Sequence, residues 1–341
     1  MPEKLSVVLR DFLKNAQGKN VSLTHLRKEL KIKPDSPAWD GIRVLMHNLV
    51  KAKIVKPSGK SDGTFKVITE VKPVVVFEAE RRPPISINFP RDYNTQDQIA
   101  IATALIIREG DLILISGQSN QGKTALCLNF AAENLDSRPI LMGNEYTTLD
   151  CEPSSRFLNR IDAMDWVKWH DEEGDRFTLL PVRSDYAEHI VKDKINIIDW
   201  INIETGEHFL ISSIMEDIKK ELGKGIAIIA IQKAEGADSG RGGQFTKDFA
   251  DVELLIDKFG DREMLLRVGK VKESKSPLFN RAFAYSIQQG VKIVDLRDMV
   301  KCGECFGKGW RYNKPCNACG TKGWIDKITR DFTEPDDDNE L

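Results

Sequence analysis

The sequence predicts an α/β protein built on a mostly parallel sheet, and three observations predict it. Several short runs are almost continuously apolar, as strands buried on both faces are. Helical stretches separate the first four of these runs, which favours parallel crossover connections. A glycine-rich loop directly follows the first run. The strand candidates are residues 111–116, 139–144, 195–199, 226–231, 252–257 and 264–271.

The bulk composition is that of an ordinary globular protein. The chain has 341 residues, of which 41% are hydrophobic and 30% charged, and this length predicts two or three domains. No apolar run reaches the roughly 18 residues of a membrane-spanning helix. The first ten residues lack the layout of a signal peptide. These features predict a cytoplasmic protein with no membrane partner.

The N-terminal part of the chain is basic. Residues 1–72 hold 15 Lys and Arg against 7 Asp and Glu, whereas the remainder holds 35 against 45. Three helical patterns followed by two β-prone runs resemble a winged helix-turn-helix domain. Such a domain would bind duplex DNA, and protein contacts alone or a solvated basic surface are the alternatives. The expected phosphate contacts are Arg43, Lys51, Lys53, Lys56 and Lys60.

A proline-rich segment follows this module. Residues 73–94 include Pro73, Pro83, Pro84 and Pro90, and prolines at this density resist regular structure. We expect a linker over 73–94 and a nucleotide-binding domain over 95–298.

The loop after the first strand carries the most specific motif. Gly117 to Thr124 reads GQSNQGKT, which fits the phosphate-binding pattern GxxxxGK[ST] between a strand and a helix. Its backbone N–H groups would wrap the phosphates of ATP, Lys123 would neutralise them, and the Thr124 hydroxyl would bind Mg²⁺. The expected nucleotide contacts are Gly117, Gln118, Ser119, Asn120, Gln121, Gly122, Lys123, Thr124 and Ala125.

Two acidic residues follow other strand candidates. Asp199 closes the run INIID and is the expected second Mg²⁺ contact, direct or through water. Glu145 comes just after PILMGN, at a carboxyl end where ligands of such sheets gather. It is the candidate base for the attacking water, and capping of the next helix is the alternative.

The stretch EGDLILISGQSNQGKTALCLNFA resembles the ATPase domain of RecA-fold proteins, specifically the DnaB-type hexameric replicative helicases. The similarity continues through ILMGNEYT, IIDW, IAIIAIQK, KDFADVELLID and the pair Lys270-Val-Lys272. It covers about 105–287, and the RecA and RadA recombinases share most of these motifs. The resemblance implies a mostly parallel RecA-like core.

The resemblance also implies roles for individual residues. Glu145 would be the catalytic carboxylate and Asp199 the acid linked to Mg²⁺. Gln232 would sense the γ-phosphate and couple it to a DNA-binding loop. Lys270 and Lys272 would reach the phosphates bound to a neighbouring subunit. The pair Lys-x-Lys departs from the family because it supplies no planar arginine, and the family's N-terminal helicase domain is replaced here.

Three hypotheses about function follow. The first is a helicase or translocase that hydrolyses ATP as a homo-oligomeric ring on single-stranded DNA. The second is a recombination mediator or replication-initiation ATPase, in which ATP switches DNA binding or filament assembly. The third is a winged-helix regulator with a vestigial ATPase, against which the acids Glu145 and Asp199 argue. The glycine-rich segment between Lys233 and Lys247 is either a loop that holds single-stranded DNA, with Arg241 contributing, or a connector.

Four of the six cysteines lie near the end of the chain, in two CxxC pairs. Cys302, Cys305, Cys316 and Cys319 provide a full tetrahedral set for a structural Zn²⁺, which predicts a zinc-binding knuckle over 299–327. The pairs resemble the CxxCxGxG elements of DnaJ-type chaperones. Two hypotheses remain for the nearby Trp310, Arg311, Tyr312 and Trp324, which either stack on bases or pack the knuckle. The acidic segment 328–341 is expected to be disordered.

Overall fold

The computed structural model divides the chain into two compact units, Met1–Arg81 and Arg82–Leu341. It describes residues 2–58, 63–71, 73–77, 80–201, 210–234, 237, 239–240, 243–278 and 281–327. The candidate contacts Lys60 and Arg241 and the acidic segment 328–341 lie outside these residues.

The first unit consists of three helices and a small antiparallel sheet. The sheet has the order β1-β3-β2, so a short strand joins the two β-prone runs that the sequence indicated. The third helix begins where the Ser36 hydroxyl accepts a hydrogen bond from the Trp39 N–H, as N-cap serines do. Its buried residues Ile42, Met46 and Leu49 are spaced along one helical face. The elements are α1 (Pro2–Asn15), β1 (Asn20–Ser22), α2 (Leu23–Glu29), α3 (Pro37–Lys51), β2 (Val55–Pro57) and β3 (Thr64–Val67).

The second unit is built on one ten-stranded sheet, with helices α4 to α7. Its helices are α4 (Lys123–Glu133), α5 (Ser155–Ala163), α6 (Ile211–Glu221) and α7 (Gln244–Phe249). Its strands are β4 (Leu112–Gly117), β5 (Ile140–Met142), β6 (His170–Asp171), β7 (Gly174–Asp175), β8 (Thr178–Leu180), β9 (Ile195–Ile198), β10 (Ile226–Gln232), β11 (Val252–Phe259), β12 (Glu263–Val271), β13 (Ala282–Gln288), β14 (Lys292–Lys301), β15 (Trp310–Arg311), β16 (Lys314–Pro315) and β17 (Trp324–Asp326).

The strand order of this sheet is β17-β14-β13-β12-β11-β4-β10-β9-β5-β8. The pairs from β11 to β8 are parallel. The pairs from β11 to β17 are antiparallel. One strand, β10, separates the P-loop strand β4 from the Asp199 strand β9. The predicted α/β class with a mostly parallel, RecA-like sheet is confirmed, and the antiparallel extension is an addition to it.

Each central strand is buried on both faces, which explains its continuous apolar run. In β4, Ile113 and Ile115 belong to the apolar cluster on one face, and Leu112 and Leu114 belong to the cluster on the other. Helix α4 contributes to the first cluster, and α6 to the second. The buried strands hold the ends of the sheet in a fixed register, which positions the loops that follow them.

The second unit begins inside the segment predicted as a linker. Phe89 is buried in the core, and the N–H of Ile85 donates a hydrogen bond to the Ile107 carbonyl at 2.8 Å. Ile85, Ile87 and Phe89 alternate with other residues, the pattern of an extended chain with one face on a core. Prolines therefore mark an extended segment here, and residues 82–94 form part of the second unit. No described helix is long and apolar enough to span a membrane.

Candidate nucleotide site and cysteine cluster

The P-loop lies between the end of β4 and the start of α4. The Nζ of Lys123 donates hydrogen bonds to the carbonyls of Gly117 at 3.0 Å and Gln118 at 2.7 Å. Gly122 has a φ of 81° at the start of the helix, and a Cβ there would lie 2.2 Å from the Ile287 side chain. Only glycine fits this position. The loop is therefore held in a curved conformation around the first turn of α4.

Two glutamines brace the P-loop from within. The side-chain oxygen of Gln121 accepts from the Gln118 N–H at 2.9 Å, and its amide donates to the Gln118 side chain at 2.8 Å. Ser119 and Asn120 between them are exposed at the tip. Gln118 and Gln121 thus shape the loop, whereas the tip residues line the cleft.

Asp199 follows β9 and is fully buried. No hydrogen bond from the described residues reaches either of its carboxylate oxygens. Burial raises the pKa of Asp199 to about 6; the Thr124 hydroxyl opposes this rise, and the charge of Glu145 adds to it. A buried carboxylate with unpaired oxygens beside a P-loop threonine fits Mg²⁺, which takes oxygen ligands. Thr124 and Asp199 are the residues that would hold it.

Glu145 lies two residues beyond a close approach of backbones. A Cβ on Gly143 would lie 2.1 Å from the Asp199 carbonyl, so glycine is required where β5 passes β9. The next helix, α5, is capped by the Ser154 hydroxyl, which accepts from the Phe157 N–H at 3.2 Å. Capping of that helix is thus the role of Ser154. The Glu145 carboxylate is left to face the P-loop, with 27% of its side chain exposed.

A cleft of about 470 Å³ brings these residues together. From the predicted set it contains Ser119, Asn120, Gly122, Lys123, Thr124, Ala125, Glu145 and Gln232. It also contains Arg156, Arg160, Trp200, Met264, Ile287 and Gly290, of which only Trp200 was noted in the sequence. The two arginines lie four residues apart in a helix that follows Glu145, and this spacing is the signal that could have found them.

Lys270 and Lys272 lie elsewhere in the same chain. They are near the end of β12 that pairs with the start of β11, at the opposite edge of the sheet from the P-loop. The Lys270 ammonium donates to the Lys247 carbonyl at 2.5 Å. The Lys272 ammonium donates to the Asp251 carboxylate at 2.8 Å. Neither lysine joins the cleft of its own chain, and action on a neighbouring subunit stays a prediction.

The four predicted cysteine ligands form one cluster. All four Sγ atoms lie within 4.8 Å of one another. The Sγ atoms of Cys302 and Cys316 are 3.8 Å apart, and those of Cys305 and Cys319 are 3.6 Å apart. Four thiolates placed tetrahedrally around zinc at about 2.3 Å lie about 3.8 Å from one another. The spacing therefore fits Zn²⁺ with no open ligand position.

Backbone N–H groups support this cluster in a repeated manner. The N–H of Gly309 donates to the Cys305 sulfur, and that of Gly323 donates to the Cys319 sulfur, each at 3.2 Å. A Cβ on Gly309 would lie 2.1 Å from the Thr321 carbonyl, so the two knuckles require glycine where they meet.

The aromatic residues of this module divide into two groups. Trp324 is buried against the sheet, whereas Trp310 is 53% and Tyr312 is 85% exposed. Packing thus accounts for Trp324 and not for the other two.

The candidate DNA contacts also differ in environment. Arg43, Lys51, Lys53 and Lys56 are exposed in the first unit. Lys247 instead forms an ion pair with the buried Glu253 carboxylate at 3.7 Å. Lys247 therefore has a structural partner within the chain.

No protein-family model and no curated protein matches this sequence. Among solved structures, a KaiC-like protein from Pyrococcus horikoshii OT3 has 15% identity and a TM-score of 0.44, covering 62% of this chain and 99% of that chain. The ATPase domain of a DnaB-type protein has 15% identity and a TM-score of 0.42, covering 56% of this chain and 86% of that chain. Both similarities are distant, and the site described above rests on the geometry of this chain.

Proposed function

We propose that the chain binds Mg²⁺-ATP in the cleft at the carboxyl ends of the sheet and hydrolyses it. The observation that carries this proposal is the meeting of Lys123, Asp199 and Glu145, which follow three different strands. A phosphate-binding cation, a buried oxygen ligand and a partly exposed carboxylate are the groups that phosphoryl transfer to water requires.

Each residue has a distinct task in this reaction. Lys123 neutralises the β- and γ-phosphates. Thr124 and Asp199 hold Mg²⁺, which when bound supplies positive charge to the phosphate oxygens. Glu145 accepts a proton from water as the water oxygen bonds to the γ-phosphorus. The bond from that phosphorus to the bridging oxygen breaks, and ADP and phosphate are released.

The clearest test of nucleotide binding is Lys123→Ala. We expect it to abolish ATP binding, measured by titration with a fluorescent ATP analogue, because the main cation facing the phosphates is removed. The matched control is Lys224→Ala, which removes an exposed lysine from a turn and should bind normally. Unchanged affinity in Lys123→Ala would contradict the nucleotide site.

We further infer that ATP hydrolysis serves work on DNA, with a homo-oligomer acting as a motor on single-stranded DNA. The basic first unit would contact duplex DNA through Arg43, Lys51, Lys53 and Lys56. What supports this inference is their common exposure and the excess of positive charge in residues 1–72.

The hydrolysis rate with and without single-stranded DNA, measured beside particle size with and without ATP, tests this inference. DNA-stimulated turnover with duplex unwinding supports a motor. Slow turnover with ATP-dependent assembly supports a switch, such as a recombination mediator or a replication-initiation protein. A rate and a particle size that respond to neither ligand would contradict both.

Duplex binding is tested by Arg43→Gln, Lys51→Gln and Lys53→Gln together. If these residues bind phosphates, the slope of log affinity against log salt should fall by about 1 for each phosphate that is no longer neutralised. Basal ATP hydrolysis is expected to continue. An unchanged slope would favour protein binding as the role of the first unit.

A further inference from the structure

Helix α5 presents two arginines to the nucleotide cleft that the proposed mechanism does not use. Arg156 and Arg160 both line the cleft with the P-loop residues and Glu145. They are four residues apart, which places them on one face of the helix. Phe157 between them is buried and packs on Tyr146 with ring centroids 5.2 Å apart. The helix is thereby fixed with its arginine face toward the cleft.

The Arg160 guanidinium is only partly satisfied by the protein. Its Nη1 is 3.6 Å from the Glu145 Oε2, which is too long for a hydrogen bond. The same Nη1 is buried, and no acceptor among the described residues bonds to it. Leaving a charged donor buried without an acceptor costs about 1–3 kcal/mol or more. An anion that enters the cleft would supply the missing acceptor.

The charge of Arg160 also acts on the acid that is expected to face Mg²⁺. Burial raises the pKa of Asp199, and the charges of Lys123 and Arg160 oppose this rise. Arg160 is therefore close enough to influence Asp199 as well as Glu145. A planar guanidinium at that position matches the oxygens of a phosphate group.

We propose that Arg160 is a catalytic residue that binds the γ-phosphate of ATP within the same chain. This inference rests on the proposed ATPase function. Arg160 forms and breaks no covalent bond: it stabilises the negative charge on the transferring phosphoryl oxygens while Glu145 takes the proton of water. It supplies from α5 the planar arginine that the pair Lys270 and Lys272 does not offer. Arg156 lies on the same face and assists binding.

The test compares ATP and ADP in the full-length protein. Arg160→Gln is expected to weaken binding of a fluorescent ATP analogue about 10- to 100-fold, the range of a missing charged hydrogen bond. Binding of the matching ADP analogue should change less than about threefold, because ADP has no γ-phosphate. Turnover should fall about 10³-fold, as when other phosphoryl-transfer enzymes lack their arginine. Arg160→Lys should recover part of the ATP affinity.

Arg176→Gln is the matched control. Its side chain is 23% exposed, against 22% for Arg160, and it forms ion pairs with Asp136 and Asp171 outside the cleft. It should leave the ratio of ATP to ADP affinity unchanged. Thermal melting of each variant shows whether it is folded.

Three outcomes would overturn the inference. Equal losses of ATP and ADP affinity in Arg160→Gln would indicate a structural role. Normal turnover in that variant would remove the catalytic role while leaving the ATPase proposal intact. Wild-type protein that binds no ATP would overturn the proposed function itself and this inference with it.

Discussion

Two buried aspartates lie at opposite edges of the same sheet, and they differ in what surrounds them. Asp251 precedes β11 and accepts hydrogen bonds from the ammonium groups of Lys219 and Lys272 and from the Leu112 N–H. Burial alone raises its pKa, but these bonds outweigh burial and hold the pKa below its ordinary value. Asp199 is as deeply buried, and its pKa is raised to about 6.

The comparison teaches how to separate a structural acid from a ligand-binding acid. Asp251 is satisfied by the fold, so its charge joins α6, β4 and β12. Asp199 has no hydrogen bond from the described residues, so its charge is a cost that a cation would relieve. Burial and residue type are the same in both cases, and the partners decide the role.

The cysteine cluster belongs with Asp199 in this comparison, and it should give the largest effect. We expect about one zinc per chain by elemental analysis and loss of that zinc in Cys302→Ser. A segment this short gains most of its folding free energy from the metal, about 10 kcal/mol or more for structural zinc. Cys151→Ser, which alters an exposed cysteine, is the control. Protein purified without zinc would show that the cluster is not a metal site.

The next largest effect is expected at Glu145. Glu145→Gln should retain ATP affinity and lose hydrolysis by about two orders of magnitude or more, the contribution of a general base. Steady-state phosphate release and analogue binding measure the two properties separately. Asp251→Asn, at the other edge of the sheet, should change the rate only a few-fold. A Glu145→Gln variant that hydrolyses normally would locate the base elsewhere.

Removing each aspartate should change stability in opposite directions. Asp251→Ala leaves the buried Leu112 N–H without its acceptor, which should lower the free energy of unfolding by about 1–3 kcal/mol. Asp199→Asn removes an unpaired buried charge. It should raise the free energy of unfolding of the nucleotide-free protein at pH 8 by a similar amount, on the order of 1–3 kcal/mol.

The pH dependence gives this contrast a sign. Because the pKa of Asp199 is raised in the folded state, its protonation favours folding. That contribution is fully present below about pH 4 and is lost as pH rises through about 6. The advantage of Asp199→Asn should therefore be largest at pH 8 and shrink toward pH 4, as measured by denaturant unfolding without added Mg²⁺. An advantage that is constant with pH would mean that Asp199 is not the titrating group.

The smallest effect on stability is expected for Lys272→Gln. The Lys272 side chain is 66% exposed, so its ion pair with Asp251 should contribute less than about 1 kcal/mol. If Lys272 also reaches the phosphates of a neighbouring subunit, turnover of the assembled protein should fall although stability hardly changes. A turnover equal to wild type would leave Lys272 with the structural role alone.

Local patterns made much of this predictable. The P-loop, the apolar strands and the CxxC pairs each carry their signal within a few residues, and the strands appear where the sequence indicated them. Strands β13 and β14 were missed because their polar residues interrupt the apolar pattern at the partly exposed end of the sheet.

The rest of the site depends on contacts between distant segments. Arg160 comes to face Glu145 because Phe157 packs on Tyr146, and Ile287 reaches Gly122 across the sheet. No spacing along the chain encodes either approach. The partner of Lys272 was missed for the same reason, since Asp251 lies beside the neighbouring strand.

The last strand of the ten-stranded sheet comes from the cysteine module. β17 covers the outer edge of β14 over Met299–Lys301, where backbone N–H and C=O groups would otherwise be unpaired. Open strand edges recruit strands from other molecules. Metal held by the four cysteines would thus protect solubility as well as local folding. Chelating agents would then turn a well-behaved preparation into one that self-associates with time.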